Sequence, residues 1–157
     1  MLILRIEMMG DVVLNRALSR FGQSIQDFTP VFQQIRENFA VIEAEQFQSQ
    51  GARSGAPWPP LSPDYAAWKN KYFPGRNIMQ LTLALWGELT GGTGLMVEMA
   101  PKHMRLTVGA PYAIYHQQGL GNNPMRKLVY LTEADKMTWM KFVHNFIYDK
   151  DKEAHLL

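Results

Sequence analysis

Between residues 51 and 60 the chain carries Gly51, Gly55, Pro57, Pro59 and Pro60, and no helix or central strand survives that spacing. Each proline removes a backbone donor and drives the residue before it toward extended backbone. Any helix arriving here must stop, and an extended arm must follow. The arm, residues 51–61, ends in Ser62-Pro63-Asp64. There a cap residue, a proline at the first helical position and an acid near the positive end of the dipole restart a helix. Trp58 lies on the arm and Trp68 on the helix after it. A large aromatic on a stiff tether loses little entropy on docking, which suits a clasp onto a neighbouring subunit. The same side chain also suits a plug in its own core.

The flanking segments are read by their period. Asp11 caps a first helix over residues 12–21, after a β-like or disordered 2–7. Thr29-Pro30 opens a long helix, 31–48, in which Phe32, Ile35, Phe39 and Ile42 recur at helical spacing. Beyond Phe73-Pro74-Gly75, residues 77–90 read as another helix, closed by Gly91-Gly92. Leu95, Val97 and Met99, then Met104, Leu106 and Val108, alternate as the two arms of a β-hairpin. Tyr112 to Gln118 reads as one helical turn and residues 127–131 as a strand. Thr132 to Asp135 is a near capping box for a last helix with Met137, Met140, Val143 and Ile147 as its stripe, and residues 150–157 read as a flexible tail. The fold class is therefore α+β: one domain, 1–157, with a small antiparallel sheet packed on long amphipathic helices.

Composition narrows the function. At 157 residues with 46% hydrophobic and 19% charged, the chain is long and apolar enough to bury a core. A formal charge of +2 is too small to argue for nucleic acid by itself. Charge is unevenly placed, however. Residues 99–132 hold Lys102, Arg105, Arg126 and Lys127 and no acid, whereas Glu37, Glu43 and Glu45 cluster on the long helix. Without cysteine there is no disulfide or thiolate metal site, and no apolar run is long enough to span a membrane. His103, His116, His144 and His155 are not at metal-ligand spacing from one another. Gly91-Gly92-Thr93-Gly94 follows a helix and lacks the lysine of a phosphate loop. No catalytic, cofactor or metal residue is assigned.

Two stretches carry a resemblance. Gly55, Trp58, Pro60, Leu61, Ser62, Pro63, Tyr65 and Lys69 follow a G-x-x-W-x-P-L-S-P-x-Y-x-x-x-K pattern. Ile78, Met79, Thr82 and Leu85 follow it, then Tyr112, Ala113, His116, Gln117 and Gly119 in a Y-A-x-x-H-Q-x-G pattern, and finally Arg126. In this order the chain resembles the virion-morphogenesis, or tail-completion, proteins of tailed phages. Leu83 departs, standing where those proteins commonly have glycine, and N-N-P-M-R-K-L is a loose version of their P-x-R-P-F region.

The resemblance implies a structural protein of the head–tail junction, acting in the virion and passing through the host cytoplasm during assembly. It implies a self-assembled ring, hexameric like the tail it serves. Its neighbours would be the tail tube, sheath or tail terminator and the neck or connector proteins, with DNA only passing through the channel. Candidate interface residues are Trp58, Pro60, Leu61, Tyr65, Trp68, His116 and Arg126. Two other functions compete: a nucleic-acid-binding module using the basic stretch 102–127, and a small hydrolase using His116 as base.

Overall fold

A computed structural model describes residues 2–7 and 26–155. The helix expected over 12–21 lies outside them. In chain order the elements are β1 (Leu2–Glu7), α1 (Thr29–Gln48), a 3-10 turn (Ala52–Ser54) and α2 (Pro63–Tyr72). Then come α3 (Ala84–Leu89), β2 (Leu95–Ala100), β3 (His103–Val108), α4 (Ala113–Gln118) and α5 (Glu133–His155). The expected α+β class holds, with five helices and a small antiparallel sheet among the described residues.

Helix α1 forms the spine because its apolar period is met by two partners. Val31, Phe32, Ile35, Phe39, Ile42 and Phe47 are buried along one side. The Trp139 indole of α5 donates to Asn38 Oδ1 at 2.7 Å, tying the two long helices together. The cap is not Thr29 as its hydroxyl suggested. Asp27 Oδ1 accepts the Thr29 N–H at 2.9 Å, and hydrogen bonding with the Thr29 side chain, then with its N–H, holds the Asp27 carboxyl below its ordinary pKa. At the other end Gln50 and Gly51 both take positive φ, turning the chain sharply into the arm.

The sheet runs β1-β3-β2, antiparallel throughout. Leu95, Val97 and Met99 face Val108, Leu106 and Met104 in register, so the expected hairpin puts one alternating face into the core. The third strand is a correction. Residues 127–131 are not a strand; β1 takes the open edge of β3 instead. The reason lies in side chains that claim the backbone of that segment first. Gln117 Oε1 accepts the N–H groups of Leu128 and Val129 at 2.7 and 3.0 Å, and its Nε2 donates to the Val129 carbonyl at 3.0 Å. The Lys127 carbonyl accepts from Gln46 and from Trp58. These contacts take the backbone groups of residues 127–129 that a ladder would need.

Three further expectations change. Only Ala84–Leu89 of the 77–90 run is helical. Its first turn is pulled apart because Lys69 donates to the Asn77 carbonyl and Gln50 Oε1 accepts from the Ile78 N–H. Met79 and Leu83 take left-handed backbone there. On α5 the Thr132–Asp135 box forms as read, Asp135 N donating to Thr132 Oγ1 and Thr132 N to Asp135 Oδ2. The stripe is rotated, however. Met137 and Met140 are exposed, and Trp139 with Phe142, Val143, Phe146 and Ile147 packs the core. Aromatic area outbids methionine for the buried face. Residues 150–155, expected as part of a flexible tail, continue the helix.

Candidate functional site

The arm and the 112–119 stretch meet through hydrogen bonds that neither contains alone. Trp58 is 5% exposed and packs edge-on against Phe47, ring centres 5.4 Å apart. Its indole donates to the Lys127 carbonyl at 2.9 Å. Trp58 is thus a plug in its own domain, which leaves its ring little area to offer a neighbouring subunit. Arg126, also an interface candidate, is 5% exposed. Its Nε donates to the Pro59 carbonyl and its Nη2 to the Pro60 carbonyl, each at 3.0 Å. These are acceptors that proline-stiffened backbone cannot satisfy in any helix or sheet. The Arg126 N–H in turn donates to the His116 carbonyl at 2.7 Å.

This lock fixes the start of α2 and leaves the rest of that helix outside the core. Lys69 is its one buried residue. Tyr65 stacks on Trp68 with centres 5.5 Å apart and planes 20° from parallel, and Trp68 also touches Tyr72 and Phe73. All four rings are more than a third exposed. A run of contiguous exposed aromatics of this kind marks an interaction surface.

Beside the ladder opens a cavity of about 630 Å³. Pro60, Leu61, Tyr65 and Lys69 form one wall, residues 79–85 a second, and Tyr112, His116, residues 122–124 and Arg126 the third. Of the sequence candidates, Pro60, Leu61, Tyr65, His116 and Arg126 therefore come together, Trp68 joins through Tyr65, and Trp58 stands behind them. Lys69 was absent from the candidates. Its position four residues after Tyr65 on one helical face was the available signal.

The electrostatics of the cavity have one sign. Burial lowers the pKa of Lys69, and Arg126 lowers it further. The same two causes lower His116. Burial likewise lowers Arg126, with Tyr65 acting against it. The His116 Nδ1 is buried without a hydrogen-bond partner, whereas the neighbouring Gln117 side chain satisfies backbone groups of residues 128–129.

The rival functions fare poorly on this geometry. Within the basic stretch, Arg105 lies 3.4 Å from Glu98 and Arg126 donates to carbonyls, so two of its four cations are engaged within the chain. Among the described residues no carboxylate lines the cavity to orient His116 as a base. Among the described residues no helix is long and apolar enough to cross a membrane, and no group of His, Asp and Glu is placed to hold a metal ion.

Compared with known families, the chain matches the model described as the phage virion morphogenesis family over residues 11–138. That span contains the arm, α2 and every residue of the cavity. No curated protein and no solved structure matches the chain.

Proposed function

Because this chain belongs to the phage virion morphogenesis family, we propose that it is a tail-completion protein of the head–tail junction. Copies close into a hexameric ring at the end of the tail and join it to the neck and capsid. The chain works by interlocking surfaces and carries out no bond chemistry of its own. The observation that carries this reading is the division of labour between the two sequence stretches. Trp58, Arg126 and Gln117 spend their hydrogen bonds on backbone carbonyls and amides of their own chain, and so build a rigid mount. The mount holds an aromatic ladder, Tyr65 to Phe73, out in solvent. Such a ladder on a locked helix is a preorganised contact, and preorganisation lowers the entropy that association must overcome.

The test is add-back. A lysate of phage lacking this chain should contain separate heads and tails, and purified protein should join them into infectious particles. Micrographs of tails after add-back should show a ring at the head-proximal end. Normal virion yield without the chain, or an isologous dimer on the tail, would overturn the reading.

A further inference from the structure

Lys69 and Arg126 are 4% and 5% exposed, and among the described residues neither is paired with a carboxylate. A cation this far from bulk water is ordinarily paired or neutralised, because its desolvation is otherwise uncompensated. Lys69 spends one of its three donors on the Asn77 carbonyl. Both residues line the cavity, as does His116, and none of the fifteen described lining residues is Asp or Glu. Around these groups the walls are apolar and aromatic, with Leu61, Met79, Leu85, Tyr65 and Tyr112. The isolated chain thus holds a concave site with two unneutralised cations at apolar walls.

We propose that this cavity receives an acidic side chain, flanked by apolar residues, from an extended segment of a neighbouring protein in the virion. The carboxylate would sit between Lys69 and Arg126, and its apolar neighbours would lie on Leu61 and the Tyr65–Trp68 stack, which continues the cavity outward. Charge complementarity selects an anion, and burial selects its form. Two nearly buried cations at a concave wall are out of reach of phosphates on a nucleic-acid duplex, whereas a single side chain can enter. The source of the segment rests on the assembly function proposed above; the carboxylate chemistry does not.

The probe is a blocked Leu-Glu-Leu peptide titrated into the isolated, isotope-labelled protein, with the His116 ring and the Tyr65, Trp68 and Tyr112 signals followed by NMR. Its Leu-Gln-Leu counterpart, sodium acetate and a short oligothymidine are the comparison ligands. The Glu peptide should shift these signals saturably and bind about tenfold more tightly than the Gln peptide, the difference expected of one charge-assisted contact. Lys69→Met should remove that preference. Asn122→Asp, on the exposed rim of the cavity, should weaken the Glu peptide several-fold and spare the Gln peptide. It tests the claim even if Lys69→Met does not fold. Equal binding of the two peptides, no saturable shift, acetate binding as tightly as the peptide, or displacement by oligothymidine would each overturn the proposal. The titration needs no other virion component. Its failure would leave the junction role standing, and failure of add-back would leave the carboxylate site standing.

Discussion

Gly51 and Trp58 are in such close contact that a Cβ on Gly51 would lie 2.2 Å from Cδ1 of the indole. Gly51 also has φ of +88°, and the Trp58 N–H donates to the Gln50 carbonyl at 2.7 Å, so the turn and the ring are one unit. Gly51→Ala should destabilise the fold by about 3 kcal/mol, through overlap with a rigid ring and left-handed strain. Trp58→Ala should cost roughly 3–5 kcal/mol as a buried aromatic. The double variant should cost less than the sum by about 2 kcal/mol, because removing the ring removes the overlap. Urea melts of the four proteins measure this. Full additivity, or an unchanged melt for Trp58→Ala, would show that Trp58 is not the plug.

Gln117 serves three backbone groups of residues 128–129 with one carboxamide. Gln117→Ala should lower stability by about 2–4 kcal/mol, since it strands two N–H groups and one carbonyl. Gln117→Glu keeps an acceptor for both N–H groups and loses the donor to Val129, so it should fall between the two. Amide exchange at Leu128 and Val129 should accelerate in the Ala variant and stay slower in the Glu variant. Equal exchange in all three would contradict the role.

Glu43 sits on α1 with no exposed surface and no hydrogen-bond partner for either oxygen. Burial pushes its carboxyl well above the usual range; Arg53 pulls it back and Asp135 adds to the rise. The native state therefore keeps a proton that the unfolded chain gives up. Stability from this group is fully present below the unfolded carboxyl pKa and is lost as pH rises toward the folded value. Glu43→Met should gain about 1–3 kcal/mol near neutral pH. The gain should shrink as pH falls through ~4, where the unfolded carboxyl also takes up its proton. Comparing variant with parent cancels Asp27, whose lowered value acts in the opposite sense. A gain independent of pH would mean that Glu43 is ionised against Arg53.

Leu83 caps α3 with φ of +63°. Left-handed backbone costs an L-residue about 1–2 kcal/mol and glycine almost nothing. Leu83→Gly should thus be nearly neutral, within about 1 kcal/mol, because relieved strain is offset by the lost half-buried side chain and the greater chain entropy of glycine. A clear fall would show that packing of Leu83 outweighs its strain.

Much of the local structure was legible because it is written within a few residues. Pro30 and Pro63 at helix starts, the Thr132–Asp135 box and the alternation of Leu95 to Val108 each depend on neighbours at most a few positions away. The order of the motifs sufficed for the family. Three decisions belonged to the tertiary structure alone. Trp58 turned inward because the Lys127 carbonyl, 69 residues on, was waiting for its indole. Residues 127–131 gave up strand pairing because Gln117, Gln46 and Trp58 reached their backbone first. Lys69, His116 and Arg126 came to share one cavity although 57 positions separate the outer two. Local period and capping are properties of a segment. Which distant carbonyl a side chain satisfies, and which charges are left facing one another, is settled only when the segments pack.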